Sequence, residues 1–243
     1  MIHCSLAHSG NWGVLAGHLS GALSMTAFDM PGHGRSGDWD NRHEYQGVVT
    51  GMAADFLRAP TDVIGHSFGA TVALRLAIEH PEYVRSLVLI EPVFFAIALK
   101  DRPWLAGAHE QETDKFNQAM AAGDRMAAAA EFTALWGDGM AWEEIPAAQR
   151  LRLADQIHLI GAGATALYDG DETFSNGDIE RVSKPVLLIE GSGSPTIISA
   201  IHDGLAARLP QAKRSVIIGA THMVPMTHAR QVSAEILQFY RQC

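Results

Sequence analysis

Along the 243 residues, apolar and polar positions fall into two alternating rhythms. Short apolar, β-branched runs at 22–28, 62–65, 86–90, 186–189 and 214–218 read as strands. Strands covered on both faces show continuous apolar runs of this kind. Between them, 12–19, 44–58, 70–79, 197–209 and 229–242 carry the spacing of helices that bury one side. Pro81 and Pro210 stand just past two of these helices, where stop signals belong. Strand–helix alternation predicts an α/β fold, a mostly parallel sheet flanked by helices on both faces.

The rhythm breaks between 93 and 183. This stretch has few β-branched runs, is rich in Ala, Met and Trp, and carries helical patterns at 112–122, 124–136 and 146–160. It is too long for one crossover connection. We therefore expect residues 1–92 and 184–243 to form the core and 93–183 a helical insertion, a cap or lid above the sheet. At the other end, His3 is expected just past a strand of which only Met1 and Ile2 precede it. Either that strand is a stub or residues are missing there.

Composition narrows the function classes. Hydrophobic residues make up 47% and charged residues 19%, and the net charge of −9 argues against nucleic acid or an anionic membrane as partner. The sequence has no apolar span of membrane-crossing length and no basic, apolar start of a signal peptide, so a cytoplasmic protein is expected. Cys4 and Cys243 lie at opposite ends, and the twelve histidines show no ligand spacing, so no metal is expected. No Gly-x-Gly-x-x-Gly opens a helix after a strand, and no cofactor is implied.

The most informative stretch is Gly65-His66-Ser67-Phe68-Gly69, set between a strand pattern and a helix pattern. That context is what a nucleophile elbow requires, with glycines where a Cβ would clash in a tight strand-to-helix reversal. His222 follows the strand at 214–218 through Gly219-Ala220-Thr221 and is expected at the same rim of the sheet. His228 is a weaker rival because it stands at the last helix.

With these motifs, Asp29-Met30-Pro31-Gly32-His33-Gly34-Arg35-Ser36 and the segment His3-Cys4-Ser5 through Trp12 complete a set whose order resembles the α/β-hydrolase superfamily, in its lid-containing branch. The resemblance implies Ser67 as nucleophile, His222 as base, and an oxyanion hole from the backbone N–H groups of Phe68 and Ser5. A serine at 67 departs from the aspartate that the dehalogenases and epoxide hydrolases of the superfamily need. Cys4 stands where a glycine is usual. Ser194 occupies the common acid position. Some branches carry the acid at the end of the neighbouring strand, where Glu91 stands before Pro92. Glu91 is thus the expected acid, with Glu190, or a dyad completed by water or Ser194, as alternatives.

Phe94, Phe95, Trp104, Phe132, Trp136, Met140 and Trp142 are candidates to line a substrate pocket or to pack the insertion. Arg102, Lys115, Arg125, Arg150 and Arg152 are candidates for a substrate carboxylate, and Asp169-Gly170-Asp171 for a hinge. The expected function is hydrolysis of a small or medium ester, thioester or lactone through an acyl-enzyme. A carbon–carbon bond hydrolase of a ring-cleavage diketone and a non-catalytic ligand receptor are the alternatives. The expected partner is a small molecule, with the protein a monomer or homodimer.

Overall fold

The computed structural model describes residues 1–169 and 177–243. Four parallel strands, β1 (Thr61–His66), β2 (Val84–Ile90), β3 (Val186–Gly191) and β4 (Ala212–Ile217), pair in sequence order. On the other side of β1, Ile2 forms one parallel bridge with Gly65. Its N–H donates to Ile64 O at 2.8 Å, and His66 N–H donates to Ile2 O at 3.1 Å.

The run at 22–28, expected as a strand, lies outside the ladder. A ladder needs a series of paired partners. Here the adjoining segment contributes a bond from the Met1 ammonium to Thr26 O at 2.7 Å. Apolar character alone did not make a strand without a neighbour to pair with.

Alternate side chains point to opposite faces of the sheet. Val63, Leu87, Leu89, Val186 and Leu188 enter one core, and Ile64, Val88, Ile90, Leu187 and Ile189 enter the other. The second face is covered by α1 (Gly13–Leu19) and α11 (Ala229–Tyr240), the latter preceded by the short α10 (Val224–Thr227). The first is covered by α2 (Tyr45–Asp55), α3 (Phe68–Glu79), α4 (Phe95–Asp101) and α9 (Thr196–Arg208). Burying each such leucine or isoleucine contributes about 1.5–3 kcal/mol before chain entropy is charged against it.

Between β2 and β3 the chain also forms α5 (Ala106–Ala121), α6 (Arg125–Trp136), α7 (Ala147–Gln156) and α8 (His158–Tyr168). Asp124 caps α6, its Oδ1 accepting from Ala127 N–H at 2.9 Å. The pattern at 146–160 predicts one helix, but two form, divided at Ile157. Ala128, Ala129, Ala154 and Ile157 make a small core of their own within this group. In contrast, α4 lies close against α9, where a Cβ on Gly204 would meet Ile97 Cγ2 at 2.1 Å. Asp169 is exposed at the end of α8, and the rest of the Asp-Gly-Asp segment lies outside the described residues.

Candidate active site

Ser67 sits in the one-residue step from β1 to α3, with φ 56° and ψ −119°. An L-residue rarely holds that conformation unless its surroundings force it, and such residues cluster at functional sites. The surroundings here are backbone. A Cβ on Gly65 would lie 2.2 Å from Gly69 O, and one on Gly69 would lie 2.3 Å from Ile2 O and 2.5 Å from His3 O. Ser67 N–H donates to Ile90 O at 2.8 Å, which ties the turn to β2.

His222 arrives from the segment between β4 and α10 and joins the serine to a carboxylate. Its Nε2 lies 2.9 Å from Ser67 Oγ, and its Nδ1 lies 2.9 Å from Glu91 Oε2. Glu91 ends β2 with φ 51° and is fully buried. Its other oxygen accepts from Gly191 N–H at 2.6 Å and from the Ser194 hydroxyl at 2.7 Å. Burial pushes the Glu91 pKa up, but the bond and charge of His222 and the donors of Gly191 and Ser194 outweigh it and hold the carboxyl below its ordinary value. An ionised carboxylate only accepts. The imidazole therefore carries its proton on Nδ1 and leaves Nε2 free to accept from the serine hydroxyl.

Ser194, at the common acid position, thus bonds the carboxylate that reaches His222. Glu190, the alternative acid, is buried and points elsewhere, its Oε1 2.5 Å from Arg214 Nη2. His228 bonds the neighbouring Thr227 hydroxyl, at 2.9 Å.

Three histidines fix this arrangement and were not singled out from the sequence for that role. His66 Nε2–H donates to the carbonyl of His222 at 2.8 Å, holding the base's own backbone. His3 donates through Nδ1 to Cys4 O (2.7 Å), and its Nε2 accepts from Met30 N–H (3.0 Å). His33 Nε2 accepts from Leu6 N–H at 3.0 Å, pinning a residue with φ 60° directly after Ser5. Asp29 accepts from Ser9 N–H at 2.6 Å and Arg35 N–H at 2.8 Å, so one carboxylate binds both turns together. Burial raises its pKa, yet these donors prevail and bring it to about 2. The signal for these roles was the pairing of a His-containing start with the Asp29–Ser36 turn.

Ser5 and Phe68 both border the cavity beside Ser67. Phe68 opens α3, and the first N–H groups of a helix have no acceptor within it. Cys4 is buried, its thiol pushed up to about 12 by desolvation, and both cysteines are free. A thiol so protonated is no nucleophile.

The cavity has a volume of about 570 Å³. Among the aromatics named from the sequence, Phe95, Phe132 and Trp136 line it, and the Trp136 ring meets His222 edge-on at 4.8 Å. Phe94 is buried in the core, Trp104 is 74% exposed, Met140 is exposed, and Trp142 packs among α5–α7. None of the five candidate basic residues lines the cavity. Arg102 pairs with Asp203 at 2.6 Å, and Arg150 lies over the Trp142 ring at 5.9 Å. Among the described residues, no group of His, Cys, Asp and Glu is placed to hold a metal ion, and no helix is long and apolar enough to cross a membrane.

Residues 1–235 match the alpha/beta hydrolase family. The chain belongs to that family. Among its relatives is a pimeloyl-[acyl-carrier protein] methyl ester esterase of Nitrosomonas europaea, 30% identical over 88% of this chain and 83% of that protein. Another esterase of the same name, from Xanthomonas campestris, is 29% identical over 98% of this chain and 93% of its own length. Of solved structures, a thermophilic esterase superposes with a TM-score of 0.69 at 21% identity, covering 99% of this chain and 88% of that one. As an α/β-hydrolase, this chain shares its fold with esterases and is similar in sequence to several of them.

Proposed function

We propose that this α/β-hydrolase is a serine hydrolase of small or medium carboxylic esters, thioesters or lactones. The observation that carries the reading is the position of His222, 2.9 Å from Ser67 Oγ on one side and 2.9 Å from a buried carboxylate on the other. A serine hydroxyl is a weak nucleophile unless a base within hydrogen-bond reach takes its proton. In this reading Ser67 Oγ attacks the ester carbonyl as His222 Nε2 accepts the proton, and Glu91 stabilises the imidazolium. The N–H groups of Phe68 and Ser5 bind the oxyanion. The tetrahedral intermediate collapses, the alcohol leaves with the proton from His222, and water repeats the sequence on the acyl-enzyme. In this reading α5 to α8 serve as the lid, whereas α4, expected as part of it, packs in the main core against α9. The esterase relatives support this reaction class, and the carboxylate of Glu91 beside His222 supports it over a non-catalytic ligand receptor.

Intact-protein mass spectrometry after exposure to a fluorophosphonate tests the reading. One adduct on the native protein and none on Ser67→Ala is the expected result. A well-folded native protein that acquires no adduct would count against an activated serine.

A further inference from the structure

The cavity lining is mostly apolar, with Phe95, Trp136, Leu159 and Leu167 among it. Its acidic members are Glu110 on α5 and Glu131 on α6. Glu110, Thr113 and Asn117, also in the lining, are spaced i, i+3, i+7 and so lie along one face of α5. Thr113 spends its hydroxyl hydrogen on the backbone, bonding His109 O at 2.9 Å. What these polar residues offer a ligand is therefore chiefly acceptors, two of them carboxylates.

Among the described residues, no Lys or Arg borders the cavity to balance that charge. His109 stands in the same lining, 5% exposed, with Nε2 2.8 Å from the Tyr168 hydroxyl and Nδ1 without a partner. Burial lowers its pKa, so it does not supply a cation either. Glu110 is exposed and Glu131 half-buried, so solvent partly screens them, but two like charges at the cavity still disfavour an anion.

We infer that the cavity selects by charge: it accepts esters whose acyl chain is neutral or ends in a cation, and rejects those ending in a carboxylate. The inference rests on the hydrolase reading for its turnover readout, but its binding readout stands apart from it. The apolar lining favours a hydrocarbon chain, and Glu110 and Glu131 favour an ammonium or hydroxyl donor upon it. The cavity volume of about 570 Å³ lies in the range that encloses a small-molecule ligand.

Three p-nitrophenyl esters of one chain length test it: the hexanoate, the 6-aminohexanoate and the mono-adipate. On the native protein, kcat/KM for the adipate is expected to fall about tenfold or more below the other two, with the gap shrinking as salt is added. Glu110→Gln/Glu131→Gln is expected to raise the adipate value relative to the hexanoate by several-fold. The same order is expected for equilibrium binding to Ser67→Ala, followed by tryptophan fluorescence. If the adipate binds Ser67→Ala as well as the hexanoate does, or if none of the three binds, charge selection is overturned. Discrimination in binding without turnover by the native protein would uphold the charge selection and sink the hydrolase reading alone.

Discussion

At the scale of single residues, the decisive exchange is between positions 91 and 194. The carboxylate that reaches His222 comes from the end of β2, and the hydroxyl of Ser194 donates to it at 2.7 Å. If Glu91 orients and stabilises the imidazole, Glu91→Gln lowers kcat by about 10²–10⁴-fold with little change in KM, a loss like that of the orienting aspartate in serine proteases. Steady-state kinetics on a p-nitrophenyl ester checks this, and wild-type turnover would remove Glu91 from the mechanism. Glu91→Ser/Ser194→Asp moves the carboxylate to its partner's place and is expected to recover part of the loss. Sequence comparison of motifs brought Ser67, His222 and Glu91 into view. The motif position already favoured Glu91 over Glu190, and the fold adds where Glu190 points, onto Arg214.

At the scale of elements, the elbow depends on close approach of backbone to backbone. The space beside Gly69 is filled by the carbonyls of Ile2 and His3, and the Ile2 carbonyl also carries the bridge to β1. Gly69→Ala must displace that segment and is expected to cost about 2 kcal/mol or more in urea unfolding. Gly51→Ala provides the opposite case. Gly51 lies exposed within α2 and a Cβ there meets nothing within 4 Å. That variant is expected to gain up to about 1 kcal/mol from helix propensity. Both being equally stable to the native protein would refute the packing argument. The central strands β1 to β3 and the flanking helices were readable from hydrophobic rhythm because they bury long apolar runs or faces, whereas β4 at the edge buries little beyond Ile217. The segment at 22–28 was not readable, since strand identity there depends on a partner and not on its own residues.

For the whole molecule, buried neutral histidines set the response to acid. His3, His33, His66 and His202 have pKa values lowered to about 4, 4, 3 and 4, with burial the largest cause in each. The unfolded chain binds these protons near pH 6.5, whereas the native state resists them. Their contribution to stability is therefore fully present above about pH 6.5 and is lost as pH falls toward 4, each group at about 1.4 kcal/mol per pH unit. Asp29, lowered to about 2, acts in the same direction at still lower pH. The Tm is expected to drop steeply between pH 7 and pH 4.5 in scanning fluorimetry. A flat Tm over that interval would show that these imidazoles are solvated in the native state.

By themselves, the residues determined the alternation of strands and helices, the elbow at Ser67 and the approximate place of His222, because periodicity, glycine spacing and motif order are local properties of the chain. The tertiary structure decided how Glu91 and Ser194 share the space beside the imidazole, which aromatics face the cavity, and that the Lys and Arg candidates lie outside its described lining. Those are matters of distance and direction between segments far apart in sequence, and hydrogen bonding and charge act through space over a few ångströms, whatever the number of residues between.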